Sequence, residues 1–152
     1  MTSIRSYQKV SLPHVVVTMN LPDSQGADLA DSVHCTELCT IEGTTYVAVP
    51  AGVTLPTQPE QITVTSITLT DTLKEQIKAA SPHVALISER MIQKIRASYS
   101  IDDEMFFARI GVGALMGLYS PSAGEQADMQ AFGVFVEGVR EWGRAERARL
   151  GL

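Results

Sequence analysis

The spacing of apolar residues changes near residue 70. Before that point they come in short β-branched runs broken by turn residues, and after it they recur every three or four positions. The first rhythm predicts strands and the second predicts helices. In KVSLPHVVVTMN the β-branched content predicts a strand over residues 14–19, with Pro13 at its start, where a missing donor does least harm. Residues 21–31, with Pro22, Gly26 and three aspartates, read as a loop. Residues 33–41 and 44–49 read as two strands, and Glu42-Gly43 between them as a tight hairpin turn. Pro50, Pro56 and Pro59 make residues 50–59 a connection across the surface. The run ITVTSITLT, residues 62–70, alternates apolar residues with threonine but shifts phase, which predicts a bulge near Thr65 or Ser66. Its threonines suit one wet face or a strand facing a partner chain. Residues 1–9 are polar and read as an ordered or loose arm.

In the helical half, Asp71 caps a short helix through Ala80, and Ser81-Pro82 supplies an N-cap and a first-turn proline for a second. Val84, Ile87, Met91 and Ile95 give that second helix, residues 82–98, its apolar stripe. Next comes MFFARIGVGALMGLY, residues 105–119, apolar on every side except at Arg109. Ser100 is its N-cap, and Asp102, Asp103 and Glu104 suit the positive end of its dipole. Gly111, Gly113 and Gly117 fall inside this segment. Each costs roughly 1 kcal/mol relative to Ala in a helix interior, so close approach of another backbone is expected to compensate. A helix apolar all round is buried by neighbours, which places this one at the centre of a helical cluster or of a subunit interface. Residues 119–124 read as a loop. A last helix, residues 125–149, turns Met129, Phe132, Val136 and Val139 inward, with Trp142 near one edge and Gly151 just past its end.

This order of elements predicts an α+β fold. A β-rich N-terminal half with a hairpin, residues 1–70, precedes a three- or four-helix C-terminal half, residues 71–152. The candidate interface residues are Arg109, Gly111, Gly113, Met116 and Gly117, joined by Phe132 and Trp142 from the last helix. A lone arginine in such a helix is expensive to bury. Two readings of Arg109 stand: a partner acid from another helix or another chain, or an arginine reaching solvent.

Charge and composition narrow the function classes. With 152 residues, 45% of them hydrophobic and 19% charged, the chain has the makeup of a globular protein. A net charge of −5 gives no electrostatic footprint for nucleic acid or an anionic membrane. Arg140, Arg144, Arg147 and Arg149 alternate with Glu137, Glu141 and Glu146, the pattern of a solvated helix face. The longest apolar run, about 15 residues with Arg109 inside it, falls short of the ~20 a helix needs to cross a bilayer. The opening MTSIRSYQKV lacks the apolar core of a secretory signal, so a cytosolic setting is expected.

Candidate chemistry is thin. His34, Cys35 and Cys39 invite a metal reading. On an extended segment, residues four apart lie about 13 Å from each other, too far for both sulfurs to ligate one ion at about 2.3 Å or to form a disulfide. Both cysteines therefore read as small core residues, and no metal or cofactor is expected. Asp102, Asp103 and Glu104 point in different directions on a helix and read as caps. No nucleophile and base are paired by a local motif, and the glycines of residues 111–117 lack the lysine and preceding strand of a phosphate loop. The expectation is a protein that is not an enzyme.

One resemblance adds to this. The stretch Ile95-Arg96-Ala97-Ser98-Tyr99-Ser100-Ile101-Asp102-Asp103-Glu104, the later Glu141-Trp142-Gly143-Arg144-Ala145-Glu146 and the ending Leu150-Gly151-Leu152 together resemble the C-terminal portion of small proteins from tailed-bacteriophage structural gene modules. The resemblance covers roughly the last third of the chain. It implies a non-catalytic virion component of the tail, neck or fibre attachment, or an assembly factor, built in the host cytoplasm and carried in the virion. Its partners would be copies of itself and other phage structural proteins. The competing class is a small dimeric binding or regulatory protein of a bacterial host.

Overall fold

The computed structural model describes residues 1–22 and 34–152. Its elements run β1 (Ser3–Gln8), β2 (Val10–Leu12), β3 (Val15–Val17), β4 (Thr36–Ile41), β5 (Thr44–Val49), β6 (Thr65–Ile67), then α1 (Asp71–Ala80), α2 (Pro82–Ser98), α3 (Ile101–Leu115) and α4 (Ala123–Arg149). Strands precede helices, and the class is α+β. Residues 1–85 with 146–152 form one compact unit and residues 86–145 a second. The division thus falls later than residue 70, because α1, the first turn of α2 and the chain end pack with the sheet.

In the first unit the sheet order is β4-β5-β1-β6, every pair antiparallel. The β4–β5 hairpin turns at Glu42 and Gly43, whose φ values of 48° and 79° are both positive, as the twist of a two-residue hairpin turn requires. Alternate residues of β5 enter two different clusters. Tyr46 and Ala48 pack with Ile4, Leu38, Ile77, Val84 and Leu152, while Val47 and Val49 pack with Tyr7, Met19 and Ile62. Both faces of β5 are therefore covered, which suits its run of apolar residues. β4 carries the bulge: its register with β5 slips between Glu37 and Cys39. The extra residue lets neighbours Leu38 and Cys39 both be buried, which simple alternation forbids.

Several expectations change here. Residues 1–9 are no arm, since β1 is an interior strand hydrogen-bonded to β5 on one side and β6 on the other. The single strand expected over residues 14–19 is the second half of a small hairpin, β2–β3, which turns at Pro13-His14. The phase shift of residues 62–70 is not a bulge. Only Thr65–Ile67 is strand; Ile62 and Val64 join the Tyr7 cluster and Leu69 the Ile4 cluster, so the chain passes from one core to the other. The expected loop of residues 21–31 lies outside the described residues beyond Pro22, as does Val33 at the expected start of β4.

Helix ends follow local chemistry. Thr70, rather than Asp71, is the N-cap of α1, its hydroxyl accepting from Leu73 N at 3.2 Å. α2 begins at Pro82 as its sequence predicts, but Ser81 does not cap through its side chain: the hydroxyl is buried without a partner among the described residues. After α4, the Gly151 and Leu152 amides reach back to the Ala148 and Arg147 carbonyls, both at 3.0 Å. That reversal needs a left-handed residue, and Gly151 has φ 79°. It delivers Leu152 into the Ile4 cluster, and a Cβ at Gly151 would sit 3.2 Å from Ile4 Cδ1. Gly151→Ala is expected to destabilise the chain by roughly 1–2 kcal/mol, from the left-handed penalty alone, read as a lowered urea midpoint. An unchanged midpoint would show that the turn does not anchor the C-terminus.

Candidate functional site

The second unit joins the C-terminal part of α2, all of α3 and most of α4. Ser100 and Asp103 form the capping box of α3. The Ser100 hydroxyl accepts from Asp103 N at 3.1 Å, and Asp103 Oδ2 accepts from the Ser100 hydroxyl and from Ser100 N, both at 2.7 Å; the hydroxyl bond first, then the amide bond, hold that carboxyl below its ordinary range. Ser122 and Glu125 repeat the device at the start of α4. Ser122 N donates to Glu125 Oε2 at 2.8 Å, Glu125 N donates to the Ser122 hydroxyl at 3.3 Å, and Tyr119 donates to Glu125 Oε1 at 2.7 Å. The Tyr119 bond, then the bonds from Ser122, hold the Glu125 carboxyl below its ordinary 4.5. A depressed carboxylate pKa stabilises the fold in full above the unfolded value and loses that contribution as pH falls through the folded one. The protection of the residue 122–126 amides, each taken relative to its intrinsic exchange rate at the same pH, is therefore expected to fall on acidification below pH 4.5. Loss of that protection beginning well above this value would rule the assignment out.

Inside the unit, four aromatic rings pack together. Tyr99 meets Phe132 edge-on at 5.0 Å and Phe107 at 6.2 Å, and Phe135 lies 5.5 Å away. Arg96 pairs with Glu104 at 2.7 Å, and Lys94 sits 4.7 Å from the centre of the Trp142 ring. A Cβ at Gly143 would run into the Met91 sulfur, so that glycine lets α2 and α4 come together. Little is truly enclosed, however. Of the fifteen buried hydrophobic residues in the described chain, only Ile87, Ile110 and Val139 belong to this unit, whereas eleven of its large hydrophobic residues are exposed.

Most of those exposed residues lie on α3 or just beyond it. Ile110 faces inward at 3% exposure and Phe107 joins the rings, but Ile101, Met105, Val112, Leu115 and Met116 are between 55% and 90% exposed. Leu118 follows at 76%. Among the described residues of this unit, none covers the outward side of α3. Of the two settings its sequence allows, the centre of a helical cluster is not what the described residues provide. An uncovered apolar patch of this kind is the usual mark of a binding surface.

The glycines are accounted for within the chain. Gly111 lets the Met129 methyl approach, at 3.4 Å from where a Cβ would be, and Gly113 lets the chain fold back so that Tyr119 Cβ comes within 3.0 Å of that position. Gly117 is outside α3, contrary to the sequence reading. It is the left-handed residue after the Met116 cap, φ 69°, with Gly117 N and Leu118 N bonded to the Ala114 and Gly113 carbonyls. Phe132 lies in the ring cluster and Trp142 under Lys94, both half-buried. Arg109 is exposed, its guanidinium 5.6 Å from the centre of the Phe106 ring, and no carboxylate within the described chain pairs with it. The solvent-reaching reading of Arg109 holds for the single chain.

Other candidate chemistry does not assemble. Among the described residues no three of His, Cys, Asp and Glu come together to hold a metal. Burial pushes the Cys35 and Cys39 thiols up, away from the reactive thiolate. On the sheet, Glu37 accepts from Tyr7 at 3.3 Å and from Lys9 at 2.6 Å. Burial and then Glu37 raise the Tyr7 phenol, and the bond to Glu37 raises Lys9. Both shifts move the groups further from neutral pH and so away from proton exchange. An open depression on the second unit, lined by Tyr99, Ala127, Gln130, Ala131, Val134 and Phe135, offers no carboxylate, imidazole or thiol. No helix among the described residues is long and apolar enough to cross a membrane. Compared with models of protein families, with curated proteins and with solved structures, the chain matches none.

Proposed function

We propose that this chain is a non-catalytic subunit that works by burying surface against other protein chains. Following the resemblance in its last third, it is a component of a tailed-bacteriophage particle, in the tail, neck or fibre attachment, or a factor in its assembly. The observation that carries the reading is the imbalance in the second unit, with three enclosed apolar side chains against eleven exposed ones. About sixty residues with so small a core need further burial, and association with another chain is the usual way to obtain it. Its partners are then copies of itself and other structural proteins of the particle, joined in the host cytoplasm before the virion is complete. The β2–β3 hairpin offers them a second apolar surface in Leu12, Val15 and Val16, each between 44% and 56% exposed. The N-terminal residues, held inside the sheet as β1, do not take that part.

The competing reading, a small dimeric binding or regulatory protein of a bacterial host, would use the same outward face of α3. Native mass spectrometry of the purified chain separates the two. In symmetric assemblies one patch meets itself or its complement, and a closed multiplicity above two, such as three, six or twelve, is expected of a particle component. A strict dimer would transfer the argument to the regulatory protein. A single chain at tens of micromolar would remove the support for both.

A further inference from the structure

We infer that α3 lies parallel to, and in register with, α3 of a second copy of this chain, with Glu104 of each copy meeting Arg109 of the other. The inference rests on the association common to both readings above and names its partner and geometry; a particle component would reach a multiplicity above two through a further contact, for which the β2–β3 hairpin is available. Ile101, Met105, Ala108, Val112 and Leu115 follow one another at spacings of four, three, four and three, the seam pattern by which two helices interlock side chains. All five are exposed, and Ile110 on the opposite side is buried against the chain's own unit, so the stripe points outward. Ala108 at its centre allows the two helices to approach closely.

The charges choose the direction. Asp103 is occupied by its capping bonds to Ser100 and lies away from the stripe. Glu104 flanks one side, its Oε2 held by Arg96, and Arg109 flanks the other side five residues later. In a parallel, in-register pair each residue on the Glu104 flank faces the partner's residue five positions further on, on the opposite flank. That brings Glu104 to Arg109 twice, once on each side of the seam. Antiparallel pairing meets one requirement or the other. Sliding the helices so that Asp102 meets Arg109 carries Leu115, at 90% exposure the barest of the large hydrophobic side chains of α3, past the end of the partner's stripe. Matching the stripe ends instead brings Arg109 against Arg109. Only the parallel arrangement covers all five apolar positions and pairs the opposite charges.

The test uses the full chain, with circular dichroism confirming the fold of each variant. Glu104→Arg alone and Arg109→Glu alone each set like charges across the seam and are expected to weaken association by roughly tenfold or more. Mixing the two variants is expected to restore it, because every cross-seam pair is again opposite. Leu115→Cys adds a readout independent of these charges. Mild oxidation should link two copies through position 115, beyond any band the unmodified chain gives through Cys35 or Cys39. Failure of the mixture to recover, recovery instead on mixing Asp102→Arg with Arg109→Glu, or absence of the Leu115→Cys link would overturn the parallel pairing. An oligomer that persists through those failures keeps the association reading and loses only this geometry, whereas an unmodified chain that stays single loses both.

Discussion

Replacing Ile77 by alanine is expected to cost about 2–5 kcal/mol, the range for removing a large aliphatic side chain from a core that collapses only partly. Ile77 is fully enclosed, at 0% exposure, on the inward side of α1, where Ile4, Leu38, Ala48, Val84 and Leu152 surround it. Those neighbours come from β1, β4, β5, the start of α2 and the C-terminus, so no single element can shift to fill the space without disturbing another. Against the 5–15 kcal/mol that separates most domains from their unfolded state, the loss is large. Urea unfolding should show it directly. Ile77→Val, which keeps most of the volume, should cost only about 0.5–1.5 kcal/mol. Equal midpoints for the two variants would mean that α1 is not a support of the first unit.

Val112→Glu is expected to do the opposite: spare the fold and remove the association. Val112 is 55% exposed in the single chain and sits mid-helix, so a glutamate there reaches water and should change the stability of the chain by no more than about 0.5 kcal/mol. In a symmetric pair the same carboxylate is carried into the apolar seam of both copies. Burying charge without a partner is strongly unfavourable, and two such groups should weaken association by at least about a hundredfold. Sedimentation velocity over a dilution series reads the effect. An unchanged distribution of species would place the contact elsewhere on the chain.

The contrast between these residues shows which parts of the molecule local sequence can specify. Helices α1 and α2, the β4–β5 hairpin and the start of α3 carry their instructions within a few residues: a capping hydroxyl, an apolar side chain every three or four positions, a Glu-Gly turn at positive φ. β1 carries none that strong. SIRSYQ is mostly polar, and its place in the middle of the sheet comes from pairing with β5 and β6, some forty to sixty residues away. The β4 bulge likewise depends on register with β5. At the candidate site the apolar outward side of α3 was legible in its composition, but not where the helix stopped. Gly117 read as an interior glycine because nothing local marks Met116 as the cap. The approaches of Met129 to Gly111 and of Tyr119 to Gly113 belong to tertiary packing. Which side of α3 the chain leaves bare is fixed by the rings of Tyr99, Phe107 and Phe132, and that choice is made only once the helices have packed.

Met105 and Met116 give the central claim its most direct test, since both lie on the outward side of α3 and both are 66% exposed in the single chain. Thioethers open to solvent oxidise readily to the sulfoxide and enclosed ones slowly. Their oxidation rates should be measured by peptide mass spectrometry at increasing chain concentration, with Val112→Glu as the dissociated reference. The account predicts that Met105 becomes protected as concentration rises in the unmodified chain and stays reactive in the variant. Equal, concentration-independent oxidation of Met105 in the two proteins would contradict it.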